Sequence, residues 1–378
     1  FDVHTHGVTS VIGYNRSITA CVRGKSWQLA CSLLHALRFV AAVQPDVISY
    51  NAGISAFEKG AQWAAAVSVL ALIAQEGLQP TVITHSAAVS ALEKGVAWLQ
   101  ACEVLDYMLV LRVQPDVFTY SALVSACGGQ HWQRGLLLLR EMQHRTLQPN
   151  LITLNAAIAA CAEADEWNQA LFLLGEIHRQ GFRPDIVSYG AAVASCGRFS
   201  YWEKSCALLS QLQQDCLYLD VVTGNAAISA CGQAGEWQHS LHLLAFMAAQ
   251  KLQVDIISVS AAITACDQGG RWEVAVSLLS TAQEHSLEPN LVTLSACTSA
   301  CAKGSQWQRS LSFIACMDLM MLQPNLVSYT SAANACAKAV QWQQTLFILH
   351  DHGLRRLQPT VFTYGGAVSS CEEVGEWQ

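Results

Sequence analysis

All eleven tryptophans of this 378-residue chain stand at one place in a recurring segment. They are Trp27, Trp63, Trp98, Trp132, Trp167, Trp202, Trp237, Trp272, Trp307, Trp342 and Trp377, spaced 36, 35, 34 and then 35 seven times running. All eight prolines share a second place: Pro45, Pro80, Pro115, Pro149, Pro184, Pro289, Pro324 and Pro359. Leu219 and Val254 stand where two more would fall. The stretch LQPNLITLNAAIAACAEADEW (147–167) returns as VQPDVISYNAGISAFEKGAQW, VQPDVFTYSALVSACGGQHW and LQPNLVSYTSAANACAKAVQW. A fixed period of this size predicts stacked supersecondary repeats, each too small to bury its own apolar face, and therefore a solenoid.

The repeat overrides the two or three domains that length alone would suggest. It implies one array with a continuous core between neighbours. The chain is 52% hydrophobic, and its mean hydropathy is +0.27. Two buried helices per repeat account for that, because no apolar run approaches the roughly eighteen residues of a membrane span. The longest, near 64–74, has the length of a core helix. A net charge of −7 argues against non-specific nucleic-acid binding, which needs a basic face. Nine of the fifteen cysteines are in register: Cys21, Cys127, Cys161, Cys196, Cys231, Cys266, Cys301, Cys336 and Cys371. Phe57 and Leu92 fill the same slot elsewhere, so the slot is read as buried and apolar. Neighbouring stacked helices lie about 8–10 Å apart, too far for a disulfide between equivalent residues. The thiols are expected to be structural, in a reducing compartment.

The chain opens in mid-pattern at Phe1, without Met, and ends one residue after a repeat tryptophan. It is expected to be a fragment whose targeting peptide or appended domain lies outside it. Residues 1–10 are read as a degenerate repeat remnant. Asp2, His4 and His6 there have the D-x-H-x-H look of a metal site on a barrel strand, but nothing downstream alternates strand and helix. Ten full repeats follow: 11–46, 47–81, 82–116, 117–150, 151–185, 186–220, 221–255, 256–290, 291–325 and 326–360, with a truncated eleventh at 361–378. The first carries one extra residue near 39–42, and the fourth lacks one before Trp132.

Proline ends the preceding helix. Ser or Thr at the third position (Ser49, Thr84, Thr153, Thr223) then predicts an N-cap, followed by a first helix of about ten residues such as 50–59. Its apolar positions recur at helical spacing, as in Ala157, Ile158, Cys161 and Ala227, Ile228, Cys231. Gly24, Gly60, Gly95, Gly235, Gly270, Gly304 and Gly375 are expected to cap it. A second helix of about fourteen residues begins near each tryptophan, with Leu171, Leu174, Ile177 and Leu241, Leu244, Met247 as buried stripes. The tryptophans are expected to fill the seam between repeats.

A 35-residue hairpin with [VI]-[TS]-Y-N-x-x-I-x-x-C near its start and [LV]-x-P-[DNT] at its end resembles the pentatricopeptide repeat family. The resemblance covers 11–378. The W-x-x-L-G-x-x-Y signature of the 34-residue tetratricopeptide repeat is absent. The resemblance implies an all-α, right-handed superhelical solenoid that takes one RNA base per repeat.

It also implies three sets of contacts. The fifth residue of a repeat and the last residue of that repeat read the Watson–Crick edge of a base. The fifth residues are Asn15, Asn51, Ser86, Ser121, Asn155, Gly190, Asn225, Ser260, Ser295, Thr330 and Gly365. Their partners are Asp46, Thr81, Asp116, Asn150, Asp185, Asp220, Asp255, Asn290, Asn325 and Thr360. All of the partners hydrogen-bond: the amide donates and accepts, and the carboxylate accepts only. Taken singly, such residues would merely decorate a helix start or begin a turn, but the paired variation favours readout. The family's pairing rules then imply U-Y-G-A-U-n-U-A-A-n, read 5′ to 3′ from the N-terminal repeat.

The second set is a branched or aromatic residue at the second position, which sandwiches a base in the family. It comprises Ile12, Ile48, Ile83, Phe118, Ile152, Val187, Val222, Ile257, Val292, Val327 and Phe362. Packing against the preceding repeat is an alternative use for the same residues. The third set is a basic residue at the thirteenth position, which touches phosphate in the family: Arg23, Lys59, Lys94, Arg198, Lys303 and Lys338. Gly129, Glu163, Gln233, Gln268 and Glu373 break that pattern, so few phosphate contacts and a shallow salt dependence are expected.

The twelve histidines do not recur in register, and no phosphate loop or zinc-deaminase signature is present. Neither a catalytic constellation nor a cofactor or metal is expected. The function implied is sequence-specific binding of single-stranded RNA in organellar RNA processing, stability, editing or translation, in chloroplast or mitochondrion, alongside protein partners and away from membranes. The alternative is a helical-repeat scaffold for protein or peptide partners.

Overall fold

The computed structural model describes residues 11–24, 26–39, 44–197, 201–354, 364–365 and 368. Asp2, His4, His6, Arg198 and Thr360 lie outside them, as does most of 361–378. Among the described residues there are twenty α-helices and one 3-10 turn, and no strand.

The first helices of the ten repeats are α1 (Val11–Arg23), α3 (Val47–Lys59), α5 (Val82–Lys94), α7 (Val117–Ala126), α9 (Leu151–Glu163), α11 (Ile186–Gly197), α13 (Val221–Gln233), α15 (Ile256–Gln268), α17 (Leu291–Lys303) and α19 (Leu326–Lys338). The second helices are α2 (Trp27–Phe39), α4 (Trp63–Gln75), α6 (Trp98–Val110), α8 (Trp132–His144), α10 (Trp167–Arg179), α12 (Trp202–Gln214), α14 (Trp237–Ala249), α16 (Trp272–Glu284), α18 (Trp307–Leu319) and α20 (Trp342–Leu354). The missing residue before Trp132 shortens α7 to ten residues, and the 3-10 turn Gly129–His131 bridges to α8.

The chain forms two compact units, Phe1–Pro184 and Asp185–Gln378. In the first, α1, α3, α5, α7 and α9 pack each on the next, and in the second α11, α13, α15, α17 and α19 do the same. Each second helix packs on its own hairpin partner, and within each unit on the first helix of the following repeat. Both units are therefore two-layered stacks of hairpins, and the fold is an all-α helical-repeat solenoid. The apolar stripes meet in the seam. Ala157, Ile158, Cys161, Ala227, Ile228 and Cys231 are buried, as are Leu174, Ile177 and Met247. The in-register cysteines from Cys127 to Cys336 are buried, Cys21 is half-buried, and all fourteen described cysteines are free thiols.

The helix starts differ from expectation. The cap is the last residue of the preceding repeat, three residues before the predicted Ser or Thr. Asp46 stands in extended backbone and accepts the Ser49 amide at 2.7 Å. Thr81, Asp116, Asn150, Asp185, Asp220, Asp255, Asn290 and Asn325 accept the equivalent amides. Most first helices therefore run thirteen residues rather than ten. The third-position hydroxyl is buried and bonds back to the cap, as Ser49 Oγ does to Asp46 Oδ1 at 2.7 Å. The residue after proline wins because its carboxylate or amide reaches the free amide and the hydroxyl together.

Gly235 and Gly270 stand in the left-handed helix-end conformation expected of them, at φ +74° and +67°, but other predicted glycines have a different reason. Gly60 and Gly95 end their helices at φ −89° and −86°, conformations open to any residue. The left-handed residue is the next one, Ala61 at +52° and Val96 at +55°. What favours glycine at 60 and 95 is the tryptophan of the preceding repeat, although Ala164, Ala234 and Ala339 hold the same place elsewhere. A Cβ on Gly60 would stand 2.5 Å from Trp27 Cδ1, and one on Gly95 2.2 Å from Trp63 Cδ1. Gly269 and Gly304 meet Trp237 and Trp272 in the same way. Each of these half-buried indoles wedges against the helix end of the next repeat.

Candidate nucleic-acid interface

Because the last residue of one repeat caps the first helix of the next, and that helix packs on its predecessor, a repeat's fifth and last residues converge. Asn15 Nδ2 donates to Asp46 Oδ1 at 3.2 Å, and Asn225 Nδ2 donates to Asp255 Oδ1 at 3.2 Å. A third group joins each pair: the single hydroxyl proton of Ser49 is shared between Asp46 and Asn15 Oδ1, which lies 2.6 Å away, and that of Ser258 between Asp255 and Asn225 Oδ1 at 2.5 Å. Burial pushes the Asp46 and Asp255 carboxyls up, but hydrogen bonds from Ser49 and Asn15, and from Ser258 and Asn225, outweigh it and hold both below the usual carboxylate range.

Serines at the fifth position reach the cap through the same third-position hydroxyl. Ser86 meets Thr119 at 3.0 Å, Ser121 meets Thr153 at 2.5 Å, Ser260 meets Thr293 at 2.6 Å and Ser295 meets Ser328 at 2.8 Å. Thr119, Thr153, Thr293 and Ser328 in turn donate to Asp116, Asn150, Asn290 and Asn325. In the second repeat Asn51 Oδ1 is buried without a hydrogen-bond partner, beside a Thr81 that bonds Thr84. Gly190 leaves the fifth position empty, and a Cβ there would stand 2.9 Å from Thr223 Oγ1. Thr330 turns its hydroxyl back to the Leu326 carbonyl at 2.7 Å. Asn155 belongs to the first compact unit and Asp185 to the second. Gly365 is helical and exposed.

The second-position residues Ile12, Ile48, Ile83, Phe118, Ile152, Val187, Val222, Ile257, Val292 and Val327 are 58–74% exposed. They stand in the first turn of each first helix with most of their surface open to solvent. Between α1 and α3 these features share one cleft of about 450 Å³, in which Ile12 and Ile48 flank Asn15 and Asp46, with Arg16 and Arg23 on its wall.

A pentatricopeptide repeat domain model matches residues 40–94, 99–130 and 137–198. Solved structures similar in fold include the maize pentatricopeptide repeat protein PPR10, 16% identical, at a TM-score of 0.55 over 97% of this chain and 62% of that one. The matched segments are pentatricopeptide repeats. The chain spans less than two thirds of the length of the maize protein. Two further likenesses are weaker. One is PPR10 in complex with an 18-nt psaJ RNA element, with 18% identity, 96% and 57% coverage and a TM-score of 0.46. The other is the repeat domain of Arabidopsis thaliana protein-only RNase P 1 in complex with tRNA, with 17% identity, 49% and 92% coverage and a TM-score of 0.40. A comparison with curated protein sequences returned no match.

The thirteenth-position cations of this repeat protein divide. Arg23 and Lys338 are exposed at helix ends, and Lys59 lies 3.8 Å from Glu58. Lys94 is held by Glu58 at 2.6 Å, and Lys303 by Asp267 at 3.1 Å, with a further bond to the Asp267 carbonyl at 2.9 Å. In both cases the acid is the twelfth residue of the preceding repeat, so part of the basic row is already neutralised. Sequence reasoning missed this, together with the bridging role of the third-position hydroxyls and the place of Arg16. The signal for the hydroxyls was present, as a Ser or Thr three residues beyond an Asp, Asn or Thr. Among the described residues no group of three or more His, Cys, Asp or Glu is placed to hold a metal ion, and no helix is long and apolar enough to cross a membrane.

Proposed function

We propose that the whole chain is a pentatricopeptide repeat array that binds single-stranded RNA in register, one base per repeat. The observation that carries the reading is the cleft between α1 and α3, where two exposed isoleucines flank a hydrogen-bonding Asn15–Asp46 pair beside two arginines. Apolar walls suit the faces of an unstacked base, and an amide beside a carboxylate offers a donor and acceptors to its edge. The recurrence of the same two elements along both compact units extends the reading to the other repeats. Ionised Asp46 and Asp255 accept only, whereas Asn290 and Asn325 both donate and accept, which gives the repeats different base preferences.

The protein acts by occupancy rather than catalysis, in the processing, stabilisation, editing or translation of chloroplast or mitochondrial transcripts, with protein partners recruited to the bound RNA. The net charge of −7 and the paired state of Lys94 and Lys303 point to few released counterions and a shallow salt dependence.

The test is equilibrium binding of the chain to a labelled RNA containing UCGAUNUAAN. Its competitors are the complement and a version with the bases opposite Ser260 and Ser295 changed from A to G. Binding that is lost on the A-to-G change supports base readout and the assumed polarity. Equal binding to all three leaves only non-specific contact. No binding at low salt turns the reading to a scaffold for protein partners, which the acidic balance favours.

A further inference from the structure

The fourth residue of a repeat reports on a second, separate site. Tyr50, Tyr120 and Tyr189 fill this position and are buried, each hydroxyl donating to an acid of the second helix or its end. The bonds are Tyr50 to Glu76 at 2.6 Å, Tyr120 to Glu141 at 3.2 Å and Tyr189 to Asp215 at 2.6 Å. In the second repeat Arg38 of the preceding helix α2 closes the group on Glu76 at 2.9 Å. A phenol ring with a hydrogen-bonded hydroxyl is thus a standing component of the seam between second helices.

Five of the ten described repeats lack that ring: the third, fifth and ninth put the buried side chains of His85, Leu154 and Leu294 in its place, and the seventh and eighth have smaller residues there. Gly224 takes the position in the seventh, and the buried Met247 fills its space, since a Cβ on Gly224 would stand 2.5 Å from Met247 Sδ. Val259 takes it in the eighth, with no such replacement. His285 occupies the place that Glu76 and Asp215 hold relative to their tryptophans, and Ala248 the place of Arg38. What remains is a cleft of about 660 Å³ between α14 and α16, walled by Leu241, Leu244, Ala248 and Val259, with Thr281 and His285 among its polar groups. The corresponding cleft between α4 and α6 is about 360 Å³ and is narrowed by Tyr107.

We propose that the α14–α16 cleft binds a small phenol-class molecule: one neutral aromatic ring bearing a hydroxyl. The ring takes the place that a tyrosine side chain fills elsewhere in this chain, and its hydroxyl donates to the His285 imidazole. An apolar concave site with a few convergent polar groups has the general form of a small-molecule pocket. It involves none of the residues assigned to RNA.

The probe is 4-methylphenol, titrated into the full chain by calorimetry, with toluene as the analogue lacking the hydroxyl. Wild type is expected to bind 4-methylphenol saturably. Val259→Tyr, which introduces the residue found at 50, 120 and 189, is expected to weaken binding about tenfold or more. Circular dichroism checks that the variant folds, and if it does not, Ala248→Leu closes the cleft from α14 and decides instead. Absence of saturable binding by wild type overturns the proposal, as does unchanged binding in the folded, filled variant. Equal affinity for toluene overturns the phenol assignment.

Discussion

Asp255 caps α15 and also meets the fifth residue of its own repeat, and two substitutions separate these roles. Its Oδ1 accepts the Ser258 amide at 2.8 Å, the Ser258 hydroxyl at 2.8 Å and Asn225 Nδ2 at 3.2 Å. Asp255→Ala removes the cap, which costs about 1 kcal/mol, and the carboxylate at the positive end of the helix, which adds about 0.3–1 kcal/mol. A total of about 2 kcal/mol corresponds to a factor of about 30. Asp255→Asn keeps the cap, as Asn150, Asn290 and Asn325 do in this chain, and loses only the charge term. A stacked array does not unfold all-or-none, so the assay is hydrogen exchange of the first-turn amides of α15. Asp255→Ala should speed exchange about 30-fold, and Asp255→Asn only about twofold to fivefold. Acid supplies a second comparison. The Asp255 carboxyl lies below its ordinary value because the Ser258 and Asn225 bonds outweigh burial. Its contribution is therefore present above the unfolded value of about 3.9 and is lost as pH falls through the folded one. The difference between wild type and Asp255→Asn should close below about pH 4. If Asp255→Ala and Asp255→Asn exchange alike at neutral pH, the capping account is wrong.

Gly95→Ala places a Cβ 2.2 Å from Trp63 Cδ1 at a φ that alanine accepts. Hydrogen exchange of the last-turn amides of α5 should show a net loss of about 1 kcal/mol rather than the usual gain, and Gly95→Ala with Trp63→Leu should show strong coupling. His85 is fully buried, with Nδ1 on the Thr81 carbonyl at 2.9 Å and Nε2 unpartnered. Burial holds its pKa below the ordinary value against the opposing Thr81 bond, so wild type should lose stability as pH falls below about 6.5, and His85→Leu should remove that loss in parallel melts. Val96 is exposed at φ +55°, and Val96→Gly should stabilise by about 1 kcal/mol in thermal denaturation.

The hairpin pattern was legible because Trp and Pro recur once per repeat and apolar residues recur at helical spacing between them. The cap was misplaced because two residues, three apart, are both good caps by type. Ser49 and Asp46 each qualify, and only the packing of α3 on α1, which buries Ser49, decides between them. Gly235 and Gly270 follow the local rule for a left-handed helix end, but Gly60 and Gly95 answer to an indole of the preceding repeat, as Gly60 does to Trp27, which no local rule contains. At the candidate interface, the meeting of Asn15 with Asp46 follows from the repeat once the helices stack. The pairing of Lys94 with Glu58 was not legible, because it depends on side chains 36 residues apart whose neighbours in other repeats differ.

The residue that closes one repeat is held in place by the repeat that follows. Asp46 is fixed by the amide and hydroxyl of Ser49, and Asp255 by those of Ser258. Under the proposed reading, specificity is therefore not stored in single cassettes. A recombinant exchange cut between 46 and 47 would deliver α3 with a foreign cap, and would leave Asn15 facing a partner whose orientation is set by another parent. Exchanges that cut on the far side of the proline keep each cap with its following helix, and such a chain can absorb them where the two parents share the fifth residue that meets the cap, as Asn15 meets Asp46.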